Sequence, residues 1–172
     1  MIEPMERIGI HYENREMVKL LIECCGNRAN FIAITCHEAL KIVKDSLVTQ
    51  ENIEHVLCFS SLEDYLKGWE KISHDDEEEN TLDRAILYLT LKLEKFRLED
   101  VIELLENRGL EIDENKIDKS LERLVIGYFF TKDRGTYSYC VPLFKEKLLY
   151  ESIDTKLKRE IRRLLSYNSI KK

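Results

Sequence analysis

Two prolines and six glycines in 172 residues leave little to interrupt a regular backbone. A chain so poor in turn formers, and rich in Leu, Glu and Lys, does not read as a sandwich or barrel of many short strands; it favours helices. It has no uninterrupted apolar run of about 18 residues, so no membrane-spanning helix is expected. The opening Met1-Ile2-Glu3-Pro4-Met5-Glu6 has no basic stretch leading into an apolar core, which argues against a secretory signal. The five cysteines (24, 25, 36, 58 and 140) form an odd count without framework spacing. They are expected as reduced thiols in the cytoplasm. Also missing are a Gly-x-x-x-x-Gly-Lys-Ser/Thr run and a strand ending in an acidic pair. Without a glycine loop to cradle phosphates and a hydroxyl to hold Mg²⁺, this chain alone cannot hydrolyse ATP.

Catalytic constellations are equally thin. The four histidines (11, 37, 55 and 74) are dispersed, and no Ser or Cys sits in a recognisable nucleophile elbow. Cys24, Cys25, Cys36 and His37 invite a zinc reading. Adjacent residues on one helix point about 100° apart, however, so Cys24 and Cys25 do not converge on one ion, and core thiols are the better reading. No catalytic residue and no metal site are assigned.

Charge is unevenly distributed. The formal net charge is −6, yet residues 145–172 hold nine Lys/Arg against four Asp/Glu, so the preceding residues carry a surplus of eleven negative charges. The body repels a polyanion and the tail attracts one.

Hydrophobic periodicity then divides the chain. Residues 1–72 read as a small helical bundle. Met17, Leu20, Leu21 and Cys24 form one helical stripe stopped by Gly26. Asn30 is a cap for a helix carrying Phe31, Ile34, Cys36, Leu40, Ile42 and Val43. Thr49 opens a third helix with Ile53, Val56 and Leu57 inward, and Ser60 or Ser61 opens a fourth reaching Ile72. Residues 73–80, with five consecutive acids from Asp75 to Glu79, read as a solvated linker.

Residues 81–150 follow a different plan. Thr81 is the expected cap of a helix from Leu82 to Phe96, with Leu82, Ala85, Ile86, Leu89 and Leu93 inward. A second helix runs from Leu98 to Arg108 and stops at Gly109-Leu110 in Schellman fashion. Ile112 offers a short strand contact. Asp113 caps a third helix whose Ile117, Leu121, Leu124 and Val125 face inward, with Gly127 as its stop. Two aromatic strands then flank an Asp133-Arg134-Gly135 turn. Three helices and a two-stranded wing make a winged-helix plan, so the fold class is mainly α, a small bundle followed by a winged-helix domain with one β-hairpin. Pro142 suits the first turn of a further helix. Residues 151–172 form a basic amphipathic helix and tail pairing Lys156, Lys158, Arg159, Arg162 and Arg163 with Ile153, Leu157, Ile161, Leu164 and Leu165. Its basic face suits nucleic acid, an anionic membrane or an acidic segment; the plainer reading is a helix packed on the domain with that face solvated.

A family resemblance appears at this point. The stretch Glu23-Cys24-Cys25-Gly26-Asn27-Arg28-Ala29-Asn30-Phe31-Ile32-Ala33-Ile34-Thr35-Cys36-His37-Glu38 resembles the lid segment of AAA+ and STAND-type P-loop ATPases, where a T-G-G-x-P-x-x-I-Q-x-x-C pattern follows the nucleotide-binding core. Ile8 to Tyr12 is similar to the stretch leading into the first lid helix. Leu121 to Leu124, through Tyr137 to Val141-Pro142-Leu143-Phe144-Lys145-Glu146, is similar to the winged helix that follows the lid. Ala29 stands where the family usually has Pro, and Asn27 where many members have a second Gly. The resemblance implies a lid plus winged helix separated from its core, with ATP and Mg²⁺ bound only when that core is present. It also implies that Arg28 takes a sensor-2-like position near the γ-phosphate, a role suited to a planar bidentate fork. A surface arginine in an interhelical turn is the simpler reading of the same residue.

The module reads nucleic acid or docks on protein. Lys116, Lys119 and Arg123 on the third helix, with Lys132 and Arg134 on the wing, are the nucleic-acid candidates. The third helix, however, carries three basic against four acidic groups, and residues 81–141 carry ten against twelve. A DNA reader needs a net basic face, because phosphate neutralisation supplies much of its affinity. The sequence therefore favours a protein partner or the chain's own ATPase core, with a DNA-binding regulator as the alternative and oligomerisation left open.

Overall fold

Side chains mark where the helices begin and end. The computed structural model describes residues 2–58 and 76–170. They divide into two units, residues 2–58 with Val141–Leu143 and residues 76–140 with 144–170.

The first unit contains α1 (Ile2–Arg7), β1 (His11–Tyr12), α2 (Arg15–Cys24), α3 (Ala29–Ile42), β2 (Leu47–Val48) and α4 (Gln50–Leu57). Asn14 caps α2 by accepting from the Met17 N–H at 3.0 Å. At its other end Gly26 and Asn27 both take positive φ, and the Asn27 N–H reaches the Ile22 carbonyl at 3.0 Å. That is the Schellman stop expected at Gly26. Thr49 and Asn52 cap one another's backbone N–H groups at the start of α4.

A core of Met5, Met17, Leu21, Cys25, Val48 and Ile53 is flanked by Tyr12, Phe31, Ile32, Leu40, Val43 and Leu57. The face of α2 differs from the expected stripe. Val18 and Cys25 are buried, while Leu20 is exposed and Cys24 only half-buried. Asn30 is not a cap; α3 begins two residues earlier than expected, with Arg28 in extended backbone as its N-cap. Helix α1 and the parallel pairing of His11 with Leu47 and Tyr12 with Val48 had no signal in the periodicity. The helix expected from Ser60 or Ser61 to Ile72 lies outside the described residues.

The second unit begins with α5 (Glu77–Thr90), followed by α6 (Leu98–Glu106), α7 (Glu114–Ile126), β3 (Phe130–Asp133), β4 (Thr136–Tyr139), α8 (Pro142–Tyr150) from Phe144 onward, and α9 (Ile153–Ile170). Helix α5 starts well before Thr81. The Asp76 carboxylate accepts from the Glu78 and Glu79 N–H groups at 2.8 and 3.1 Å, so Glu77, Glu78 and Glu79 form the first turn. Acidic side chains are favourable there because the helix dipole presents positive charge at that end. Residues 76–80, which composition alone assigns to a linker, therefore belong to the folded unit. Every residue from Asn80 to Thr90 is buried. Helix α9 lies along α5, burying Leu157, Ile161 and Leu164.

Helix α6 ends as the Gly109-Leu110 pair implies, with the Leu110 N–H on the Leu105 carbonyl at 3.1 Å. Asp113 caps α7 through the Asn115 N–H at 3.0 Å. After α7 the residue with positive φ is Tyr128, not Gly127. Gly127 is needed for closeness instead: a Cβ there would lie 2.9 Å from the Phe129 ring and 3.2 Å from the Arg123 carbonyl. Strands β3 and β4 pair antiparallel from Phe130↔Tyr139 to Asp133↔Thr136. Arg134 and Gly135 both have positive φ, giving a two-residue type I′ loop.

The extra strand contact comes from Phe96, which bridges Tyr137 through two backbone hydrogen bonds of 3.0 and 2.7 Å; Ile112 joins no strand. Phe96 meets the Phe130 ring edge-on at 5.0 Å and stacks on Tyr137 at 5.7 Å, while Phe130 meets Tyr139 edge-on at 5.0 Å. The fold is mainly α with one antiparallel hairpin. Among the described residues no helix is long and apolar enough to cross a membrane.

Candidate functional site

The N-terminal turns of α5 lie against the basic side of α7. Lys116 Nζ is 3.2 Å from Glu78 Oε1, and Arg123 Nη1 is 3.4 Å from Glu79 Oε2. Arg123 also grips Asp83 with two hydrogen bonds, Nη2 to Oδ1 at 2.7 Å and Nε to Oδ2 at 3.0 Å. Asp83 is fully buried and accepts a further bond from the Ser120 hydroxyl. Burial pushes its carboxyl above the ordinary range, and the bonds from Arg123 and Ser120 only partly oppose this. For Arg123, burial works to lower the pKa and is outweighed by the bond from Asp83, so the guanidinium is held charged.

Two of the three α7 cations are thus engaged by carboxylates of their own unit. The third, Lys119, is exposed and shares the lining of a cavity of about 300 Å³ with Glu78, Glu79, Glu111, Lys116 and Arg123. The cavity carries both signs of charge and offers no concentrated positive potential for a phosphate.

The wing residues behave differently. Lys132 lies 5.1 Å from the centre of the Tyr137 ring opposite it on the hairpin. Its ammonium is held up, chiefly by its bond with Tyr137. Arg134 occupies the exposed tip of the loop with a φ of 47°. No contact joins either of them to Lys116, Lys119 or Arg123 among the described residues. The hairpin is anchored from behind by the Tyr139 hydroxyl, which donates to the Leu87 carbonyl; Lys145 Nζ, 5.4 Å from the centre of the Tyr139 ring, donates to the Leu93 carbonyl at 2.9 Å. Burial raises the Tyr139 pKa far above its usual value, keeping the hydroxyl a donor.

Arg28 sits in the turn between α2 and α3, half-buried, with its carbonyl accepting from the Ile32 N–H at 2.9 Å. The cysteines are free thiols. Cys25 Sγ lies 3.3 Å from the Thr35 hydroxyl, and Cys36 Sγ lies 3.5 Å from the Tyr12 hydroxyl. Burial raises the Cys25 pKa, the behaviour of a core thiol and not of a nucleophile. Among the described residues no cluster of three or more His, Cys, Asp or Glu is placed to hold a metal ion.

Sequence reasoning missed a second network, between α5 and α9. Arg84 reaches Glu160 Oε2 from Nε at 3.2 Å and from Nη2 at 3.1 Å, and Glu77 Oε1 from Nη2 at 2.9 Å. Glu160 is fully buried and also meets Arg159 at 2.9 Å and Arg163 at 3.6 Å. One signal was available. Glu160 is the lone acid within Lys156 to Arg163, and helical spacing puts it on the same face as Leu157, Ile161 and Leu164, where an unpaired carboxylate is not tolerated. Of the remaining cations of α9, Lys156 pairs with Glu151, and Lys158 and Arg162 are exposed. With Thr155, Arg159, Arg163 and Ser166 these two line a shallow groove of about 450 Å³.

Comparison with known proteins gives no matching family model, no matching curated protein and no matching solved structure.

Proposed function

We propose that this chain is a non-catalytic interaction module, a lid-like helical unit followed by a winged helix, which relays the nucleotide state of a P-loop ATPase core through protein contacts. The pairing of Lys116 and Arg123 with Glu78, Glu79 and Asp83 carries this reading. A winged helix that reads DNA offers its third helix to the major groove with uncommitted cations. Here a duplex would have to displace or face three carboxylates. A protein surface with mixed charges does not.

The resemblance of Glu23–Glu38 to an ATPase lid supplies the rest of the reading. Arg28, at the N-cap of α3, is the residue that would approach a γ-phosphate held by a core outside this chain. ATP and Mg²⁺ enter only through that core.

The test is recovery of partners by the tagged chain from its own cells, each partner scored for a Gly-x-x-x-x-Gly-Lys-Ser/Thr segment. Recovery of a P-loop protein whose ATP turnover changes when the chain is added, and changes less with Arg28→Ala, is the expected result. Repeated recovery of partners without such a segment would overturn it. The DNA-regulator alternative predicts that Lys116→Ala with Lys119→Ala abolishes duplex binding; the present reading predicts no change.

A further inference from the structure

We infer that the outer face of α9, and not α7 or the hairpin, is this chain's contact for the phosphate backbone of nucleic acid. Four cations lie on that face in two adjacent rows one helical turn apart, Lys158 with Arg162 and Arg159 with Arg163. The Thr155 hydroxyl stands at one end of the groove and adds a neutral donor, while the Ser166 hydroxyl at the other end donates to the Arg163 carbonyl at 2.6 Å. The inner face holds the helix in place through Leu157, Ile161, Leu164 and the Glu160–Arg84 pair. The cations therefore stand on a fixed support and not on a loose tail.

The partner's chemistry follows from what the face contains and lacks. A membrane-bound amphipathic helix inserts its apolar side, and a helix captured in a protein groove buries the same side. In α9 that side is already buried against α5. Leu165, at 39% exposure, is the only large apolar side chain exposed on α9 among the described residues. Protein interfaces draw their energy from desolvated aromatic and arginine anchors seated in well-packed pockets; this face supplies arginines but no aromatic or apolar anchor beside them. Phosphate contact needs no such neighbour, because its affinity comes from release of counterions by Lys and Arg.

Charge elsewhere sharpens the assignment. Lys116 and Arg123 are held by carboxylates, whereas Lys158 and Arg162 have no ion pair among the described residues. Arg159 meets the buried Glu160, and Arg163 meets both Glu160 and Glu77, yet they remain 53% and 45% exposed. A row from Thr155 to Ser166 is roughly 16 Å long at 1.5 Å per residue. A duplex presents about one charge per 1.7 Å, so phosphates are in excess and the four cations limit the number of contacts. With at most four phosphates neutralised, the slope of log K against log salt is no steeper than about −3.6, and binding is independent of sequence.

The test uses the full chain and fluorescence anisotropy of labelled probes across a salt series starting near 50 mM. The probes are a random-sequence DNA duplex, an RNA strand of the same sequence, polyglutamate, and vesicles containing phosphatidylserine. The expected result is salt-sensitive binding to one or both nucleic acids, at least tenfold tighter than to polyglutamate or vesicles; the DNA and RNA arms identify which backbone is preferred. Lys158→Glu with Arg162→Glu, two exposed positions whose folding is verified by circular dichroism, should weaken binding at least tenfold and flatten the salt slope by about 2. Lys116→Ala with Lys119→Ala should leave binding within twofold. No binding at the lowest salt overturns the inference, as does a preference for polyglutamate or vesicles, or a loss that follows the α7 substitutions and not those in α9.

Discussion

Asp83 on α5 and Arg123 on α7 face one another through two hydrogen bonds of 2.7 and 3.0 Å, forty residues apart in sequence. This clasp fixes α7 against α5 and commits Arg123, one of the candidate nucleic-acid cations, to a buried carboxylate. Removing one member of such a pair leaves the other charge without compensation. Asp83→Ala should lower the free energy of unfolding by about 3–5 kcal/mol, measured by urea titration. Replacing both residues by apolar ones of similar size, Asp83→Leu with Arg123→Met, should restore most of that loss, since a buried pair adds little net stability over good packing. A double variant as unstable as Asp83→Ala would contradict this.

The pH dependence has a definite sign. Burial raises the Asp83 pKa above its ordinary 3.8, so the folded chain takes up this proton at a pH where the unfolded chain is still ionised. Below the ordinary value the contribution to stability is fully present, and it is lost as pH rises through the higher folded value. The wild-type chain should therefore gain stability relative to Asp83→Asn as pH falls toward 4, within the window between those two values. Unfolding titrations of both proteins at stepped pH would reveal the trend, and a difference that shrinks on acidification would contradict it.

Gly127 has an ordinary φ, so alanine there meets no backbone strain, only the Phe129 ring and the Arg123 carbonyl. Gly127→Ala should cost about 1–3 kcal/mol by overpacking. In a Phe129→Ala background the same change should become neutral or stabilising by about 0.4–1 kcal/mol, because alanine restricts the unfolded chain. A double-mutant cycle in thermal unfolding reads the coupling directly.

Phe130 is almost fully buried between Phe96 and Tyr139. Phe130→Ala should cost about 3–5 kcal/mol. The loss should appear in the near-ultraviolet circular dichroism of the aromatic cluster as well as in urea. An unchanged aromatic signal would mean that the hairpin does not depend on this ring.

Much of this fold was legible locally. The stops at Gly26 and Gly109, the caps at Thr49 and Asp113, and the Asp133-Arg134-Gly135 turn each follow from a few neighbouring side chains, and each forms as expected. The start of α5 is not legible locally, because a run of acids is also the composition of a solvated linker. What converts it into a helix is Asp76 as a cap, together with the cations of α7 and α9, which lie 38 or more residues away in sequence. The parallel β1–β2 contact and the Phe96–Tyr137 bridge are likewise pairings between distant segments, to which hydrophobic periodicity is blind. The candidate cations were all visible in the sequence. Whether each is committed or available depended on partners that only the folded chain brings near.

The link between Arg84 and Glu160 spans 76 residues, joining the first helix of the second unit to its final one. During synthesis a ribosome would have to release nearly the whole unit before that carboxylate could meet its guanidinium. Until then the burial surface of α5 stays open to water, and Arg84 has no buried counter-ion. This half of the chain should accordingly close only once residue 160 has left the ribosome, with a nascent interval in which chaperones find α5 uncovered.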